Sequence, residues 1–379
     1  RNGAEGRPGT QRVVCRSLGG DVYAEVCLDT PATVAHLRAA VKAAVETAPG
    51  CGLSFFEPGG GELLENVAVP EEVNVVLSSR KMLATACSDG SAALWDAATG
   101  EWLTSFIGHD LSVMSVALSP DGESVATASS DYTVRLWSVQ SLSWRLTLTG
   151  HKGAVQCVNF SADSSRLVSA SSDRTVRVWS AGSFGECLAV LRRHRKDVLW
   201  AAFSPDDLWL LTTSDDRRAI VWDAASLACQ QTIECQEKPL ACAAWSPDSL
   251  HVAIAVRGRE IYIWKTCKTC GVQQKLETPS AVFAVCWNPE SKNHLAAALE
   301  DRRACVWDAS TGEVVASLLG HTGKVFGISY SDDGRLLASA SADETVKVWN
   351  AQTFSCLRTL EGHFAVINSV SFAAPGRSC

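Results

Sequence analysis

Ser124–Trp137 reads SVATASSDYTVRLW, Arg166–Trp179 reads RLVSASSDRTVRVW, and Arg335–Trp349 reads RLLASASADETVKVW. Each is a short apolar run, a turn built on Asp131, Asp173 or Asp343, and a second run ending in tryptophan. The alternation in VRLW and VKVW has the period of a strand, not of a helix. Working outward, Trp95, Trp137, Trp179, Trp222, Trp264, Trp307 and Trp349 recur at spacings of 42, 42, 43, 42, 43 and 42. Ser119–Gly122 (SPDG) and its variants at Ser204–Asp207, Ser246–Ser249 and Ser331–Gly334 are turn chemistry in the same register. A fixed period of this length means a stacked-repeat fold in which one unit cannot bury its core alone.

His109, His151, His194 and His321 each stand 28 residues before a tryptophan, the first, second and last of them after glycine. With that pair, the pattern resembles the WD-repeat family over about Met82 to Phe372. The resemblance implies one four-stranded propeller blade per repeat. The histidine slot runs His109, His151, His194, Gln236, Thr278, His321 and finally His363, which has no tryptophan after it. The unit ending in Trp95 conversely lacks a histidine and an innermost strand. The expectation is therefore a mainly β, seven-bladed propeller over residues 80–373, closed when Ile367–Phe372 crosses back to the first blade and removes its exposed edge. Residues 374–379 read as a tail.

His109/Ser129/Asp131, His151/Ser171/Asp173, His194/Ser214/Asp216 and His321/Ser341/Asp343 have the residue types of a hydrolase triad. A catalytic set occurs once per site, and this one occurs four times in register with Trp137, Trp179, Trp222 and Trp349. The resemblance implies a structural hydrogen-bond network instead, with no catalytic residue and no cofactor. The network reads as degraded in three blades. The first has Cys87 at the serine slot, the fifth has Gln236 and Gly258, and the sixth has Thr278 and Leu299, although Asp301 survives. Cys267 and Cys270 form a CxxC, but no second ligand pair accompanies them, so a zinc site is not expected.

The residues before the repeats read as a different, α+β domain over 11–79, after a tail at 1–10. Gln11–Leu18 and Asp21–Asp29 form a hairpin across Gly19–Gly20, and Thr33–Thr47 has a helical apolar face. Leu53–Phe56, Glu62–Leu64 and Val73–Leu77 read as further short strands. The order resembles ubiquitin, a β-grasp fold, and that resemblance implies a partner patch at Phe55, Phe56 and Val76. The alternative for the two phenylalanines is a core role. Val73–Leu77 has a rival reading as the innermost strand of blade one.

A net charge of −7 argues against a broad nucleic-acid surface. The cluster Arg192–Arg193–His194–Arg195–Lys196 reads as a solvated loop. No apolar run is long enough for a membrane helix. The chain begins at Arg1, so the lack of a leader carries no argument. Fifteen cysteines scattered singly, as at Cys157, Cys242, Cys286 and Cys305, suit a reducing cytoplasmic or nuclear compartment.

The WD-repeat resemblance implies recognition on the narrow face round the central channel, by residues three and five beyond each histidine slot and one before each turn aspartate. On this chain the candidates are Met114, Gln156, Asp197, Leu199, Arg257, Phe283, Glu300, Lys324, Phe326 and Asn368. Phe283 and Phe326 beside Lys324 mark the expected anchor across blades six and seven, unless both rings merely fill the channel mouth. The expected function is a non-enzymatic scaffold binding other proteins as a monomeric subunit of a complex, with no small-molecule substrate. Two alternatives stand. The layout is similar to Notchless-type ribosome-assembly factors. A ubiquitin-ligase or proteasome adaptor is the other, weakened because Trp95, Trp222 and Trp307 are followed by Asp-Ala without the arginine of cullin substrate receptors.

Overall fold

The computed structural model describes four strands within the first eighty residues, and residues 81–373 apart from 183, 236–237, 267–270 and 292. The chain divides into two compact units, Arg1–Arg80 and Lys81–Cys379.

In the first unit, β1 (Thr10–Arg16) and β2 (Val22–Asp29) pair antiparallel. Two further strands, β3 (Cys51–Phe56) and β4 (Glu72–Ser79), also pair antiparallel. Strands β1 and β4 lie side by side and parallel, giving the order β2-β1-β4-β3. Val73–Leu77 thus belongs to this sheet and not to blade one. The expected helix at Thr33–Thr47 and strand at Glu62–Leu64 lie outside the described residues, as do the side chains of Phe55, Phe56 and Val76.

The second unit is seven four-stranded antiparallel sheets. In blade two the strands run in chain order from the inside out: Val113–Leu118, Ser124–Ser129, Val134–Ser138 and Ser143–Leu148. The second strand, SVATAS, is buried at every position, whereas the outermost, SWRLTL, is largely exposed. Small Ala, Ser and Thr side chains let neighbouring sheets close on both faces of that strand. Strict inside–outside alternation is therefore lost there.

Seven apolar cores form among the described residues, one at each junction between neighbouring blades. Trp137 sits in the junction of blades one and two and Trp179 in that of blades two and three. The signature tryptophan of each repeat is thus the wedge against the blade before it.

Blade one is made from both ends of this unit. Ile367–Phe372 pairs with Met82–Cys87, which continues to Ser91–Asp96 and Trp102–Ile107. Leu83, Trp95, Ile367 and Phe372 then share one core with Ala338, Val346 and Val348 of blade seven. Lys81 adds an ion pair to Asp332 and Asp333 in the blade-seven turn.

Among the described residues no helix is long and apolar enough to cross a membrane. The nine described cysteines are free thiols, Cys157, Cys242 and Cys305 among the buried ones. Burial pushes the Cys157 thiol up to about 11 and the Cys242 thiol up to about 12, so both stay protonated.

Candidate interaction face

Strand order places the histidine loops and the aspartate turns at one end of the ring and the Ser-Pro-Asp-Gly turns at the other. The histidine end is held by a repeated relay. In blade two the Trp137 indole N–H donates to the Thr127 hydroxyl at 2.9 Å, and that hydroxyl lies 2.8 Å from His109 Nε2. His109 Nδ1 lies 2.7 Å from an Asp131 carboxylate oxygen. A carboxylate only accepts, so Nδ1 carries the proton, and the bare Nε2 accepts from the hydroxyl.

The same relay recurs through Trp179, Ser169, His151 and Asp173, through Trp222, Thr212, His194 and Asp216, and through Trp349, Ser339, His321 and Asp343. Burial holds His109, His151 and His321 below the ordinary histidine value, outweighing the pull of their aspartates. Burial works the other way on Asp173 and Asp343. Hydrogen bonds from the Thr175 and Thr345 hydroxyls, and from the Lys152 and Thr322 backbone N–H groups, overcome it and hold both carboxyls at about 2.

The linking hydroxyl is a correction to the sequence reading. It belongs to Thr127, Ser169, Thr212 and Ser339, not to Ser129, Ser171, Ser214 and Ser341. The latter serines stand two residues further along, beside the turn. Ser129 donates to the Leu111 carbonyl at 3.0 Å and accepts from the Asp131 N–H at 3.1 Å. Ser171 and Ser214 donate in the same way to Gly153 and Lys196, and Ser341 accepts from the Asp343 N–H. The reason is the hairpin register: Trp137 pairs with Val125, so its indole reaches diagonally to Thr127 and no further.

Blade one keeps three members of the relay, although Cys87 stands in its serine slot and Asp89 bonds to Ser91. Trp95 donates to Thr85 at 3.0 Å, and Thr85 lies 2.7 Å from His363 Nε2. Cys87 occupies the equivalent of Ser129 and donates to the Ala365 carbonyl. A usable signal was present in the sequence: the hydroxyl ten residues before tryptophan accompanies every histidine, Thr85 included. Ile254 and Ala297 fill that slot where the histidine is missing. Accordingly the Trp264 indole N–H is buried without a partner. Gln236 lies outside the described residues, as do Cys267 and Cys270. Thr278 instead donates to the Ser280 carbonyl, and Asp301 pairs with Arg303.

Every linking hydroxyl (Thr85, Thr127, Ser169, Thr212, Ser339) is wholly buried and already bonded on both sides. Such a hydroxyl has no path to a substrate.

The relay positions the channel mouth. The residue before each turn aspartate, or before Gly258 in blade five, donates its backbone N–H to the carbonyl three beyond the histidine slot, for example Ser130 to Ser112, Arg257 to Pro239 and Ala342 to Lys324. Each innermost strand then bulges at its second residue. Val113 pairs with Ser129 and Ser115 with Ala128, leaving Met114 unpaired in the ladder. The same slip frees Gln156, Leu199, Ala241, Phe283, Phe326 and Asn368. A bulge re-aims a side chain out of the pleat, and all seven line one central cavity of about 410 Å³.

Phe283 and Phe326 meet each other with ring centroids 4.8 Å apart at 55°, and both are half-buried. Polar pairs also join neighbouring blades at this end. Lys324 Nζ is 2.8 Å from Glu300, Arg257 Nε is 3.1 Å from Asp215, and Asn368 donates to the Val113 carbonyl at 2.8 Å. Gln156 donates to Ser172 at 3.0 Å, and Asp197 is half-buried beside Leu199.

The family model for the WD domain, G-beta repeat, matches residues 100–138, 143–180, 185–223, 271–308 and 312–350, just over half of the chain. The units ending in Trp95 and Trp264 lie outside these stretches. No curated protein matches the chain significantly.

Proposed function

The chain belongs to the WD-repeat family, and from that premise we propose that it is a non-enzymatic platform that binds other proteins on the histidine end of its propeller. The carrying observation is the convergence of seven bulge residues on one channel mouth, with the Phe283–Phe326 pair at its rim. Half-buried aromatic pairs in a rigid frame make interface anchors because little side-chain entropy is lost on docking. The ion pairs Lys324–Glu300 and Arg257–Asp215 form a polar border of the kind that surrounds such anchors. The free thiols support work in a reducing compartment, cytoplasmic or nuclear.

The strand order β2-β1-β4-β3 with a parallel central pair supports a ubiquitin-like reading of the first unit. That reading would give the chain the layout of Notchless-type assembly factors, with the unit as a second recognition module.

The test is a quantitative pull-down comparing the intact chain with a Phe283→Ala/Phe326→Ala variant whose melting temperature is unchanged. Partners lost in the variant support the platform reading. A partner set identical in both baits moves the binding surface off the channel mouth.

A further inference from the structure

The charge on the histidine end is far from even, although the chain as a whole carries −7. Lys152, Arg174, Arg192, Arg193, Arg195 and Lys196 are all exposed and sit on two histidine loops and one aspartate turn around blade three. Pairing of Val176 with Leu191 brings Arg174 beside Arg192 and Arg193. The Lys152 backbone N–H donates to Asp173 at 2.9 Å and so places that lysine against the turn bearing Arg174. Among the described residues, none of these six side chains has an ion-pair or hydrogen-bond partner.

The acids nearby do not neutralise them. Asp173 and Asp216 are turned inward to His151 and His194, and Asp215 is paired with Arg257. Asp197 alone stands close by, half-buried. The loop is also pinned: the Arg195 N–H donates to Asp216 at 2.8 Å, and the Lys196 carbonyl accepts from Ser214. Four cations are therefore carried on a backbone that is fixed before docking.

We propose that this crescent is the docking site for an acidic segment of a partner protein, its carboxylates on the arginines and one apolar side chain turned to Leu199 at the channel mouth. The proposal deepens the platform reading and rests on it. Arginine forks suit carboxylates, singly or in pairs. The crescent is short, and the rest of the molecule is acidic. A nucleic-acid strand is therefore the poorer fit.

Binding is read by fluorescence anisotropy on the full chain, with a labelled peptide of Asp and Glu around one Leu. The comparison probes are a Gly/Ser peptide and a single-stranded DNA of similar length. The acidic peptide is expected to bind alone, and to weaken as salt rises from about 0.05 to about 0.3 M. Arg192→Glu/Arg195→Glu should weaken it about tenfold or more. Arg335→Glu/Arg358→Glu, with the same change in charge on other surfaces, should leave it unchanged. Absence of peptide binding, equal loss in both charge variants, or DNA binding as tight as the peptide's overturns the proposal. If the crescent variant keeps every lysate partner that Phe283→Ala/Phe326→Ala loses, the acidic-segment proposal falls and the platform reading stands.

Discussion

His363 and Thr85 are 278 residues apart in the chain, yet His363 Nε2 lies 2.7 Å from the Thr85 hydroxyl. This is the polar lock on the ring, completed by Trp95 on the other side of the same oxygen. His363→Ala should cost about 1–3 kcal/mol, the price of a buried group left without its partner. Urea denaturation measures this. Ending the chain after Leu360 should do more, since it uncovers the long edge of Met82–Cys87. Loss of the monomer peak on size-exclusion chromatography is the expected readout. A truncated chain that stays monomeric and melts as before would show that the closing strand is dispensable.

Thr127 and Ser129 distinguish the two ways of reading the relay. Thr127→Val leaves both the Trp137 N–H and His109 Nε2 without a partner and should cost about 2–4 kcal/mol. Thr127→Ser keeps the oxygen and should stay within about 1 kcal/mol of the parent. Ser129→Ala should cost less than Thr127→Val, because water reaches the turn it supports. The reverse ranking in chemical denaturation would return the link to Ser129.

Blade five contains a correctable defect. Ile254 is fully buried at the position where other blades carry the hydroxyl, and the Trp264 N–H has no acceptor. A hydroxyl placed in an apolar site ordinarily destabilises by about 1–3 kcal/mol. Ile254→Thr should instead be near neutral or stabilising, with slower exchange of the Trp264 indole proton by NMR. Ile254→Ala, which only removes volume, should cost about 2–4 kcal/mol. If Ile254→Thr behaves like Ile254→Ala, the orphaned indole is not the weakness of this blade.

Acid should unfold the propeller through its histidines first. His109, His151, His321 and His363 are held below their ordinary value chiefly by burial. The unfolded chain therefore binds more protons than the folded one as pH falls through the ordinary histidine range near 6.5. Stability should decline from about that pH downward. The carboxyls of Asp173 and Asp343, held at about 2, add stability above their ordinary value and lose it only as pH falls toward 2. Melting temperatures between pH 8 and pH 4 test this. A flat profile through the histidine range would mean that these imidazoles take up protons alike in the folded and the unfolded chain.

The relay also shows where sequence reasoning needed help. Histidine, aspartate and tryptophan could be identified by spacing alone, because each occupies a fixed place in the repeat. The hydroxyl could not, because Thr127 and Ser129 are both small, polar and two apart, hence on one face of the strand. Only the register Trp137↔Val125 decides between them. In blade one the Trp95–Thr85–His363 links join residues 278 apart in the chain, which local spacing does not bring together.

By itself, the sequence determined the repeat, its seven units and the strand character of each. Those properties follow from local periodicity and turn chemistry, which act within one repeat. Tertiary structure alone decided which atoms meet: the diagonal reach from Trp137 to Thr127, the bulges that turn Phe283 onto Phe326, and the crescent that sets Arg174 beside Arg192. Each depends on the register of pairing within a blade or on contact between neighbouring blades. A side-chain period of two leaves such choices open until the sheets are packed.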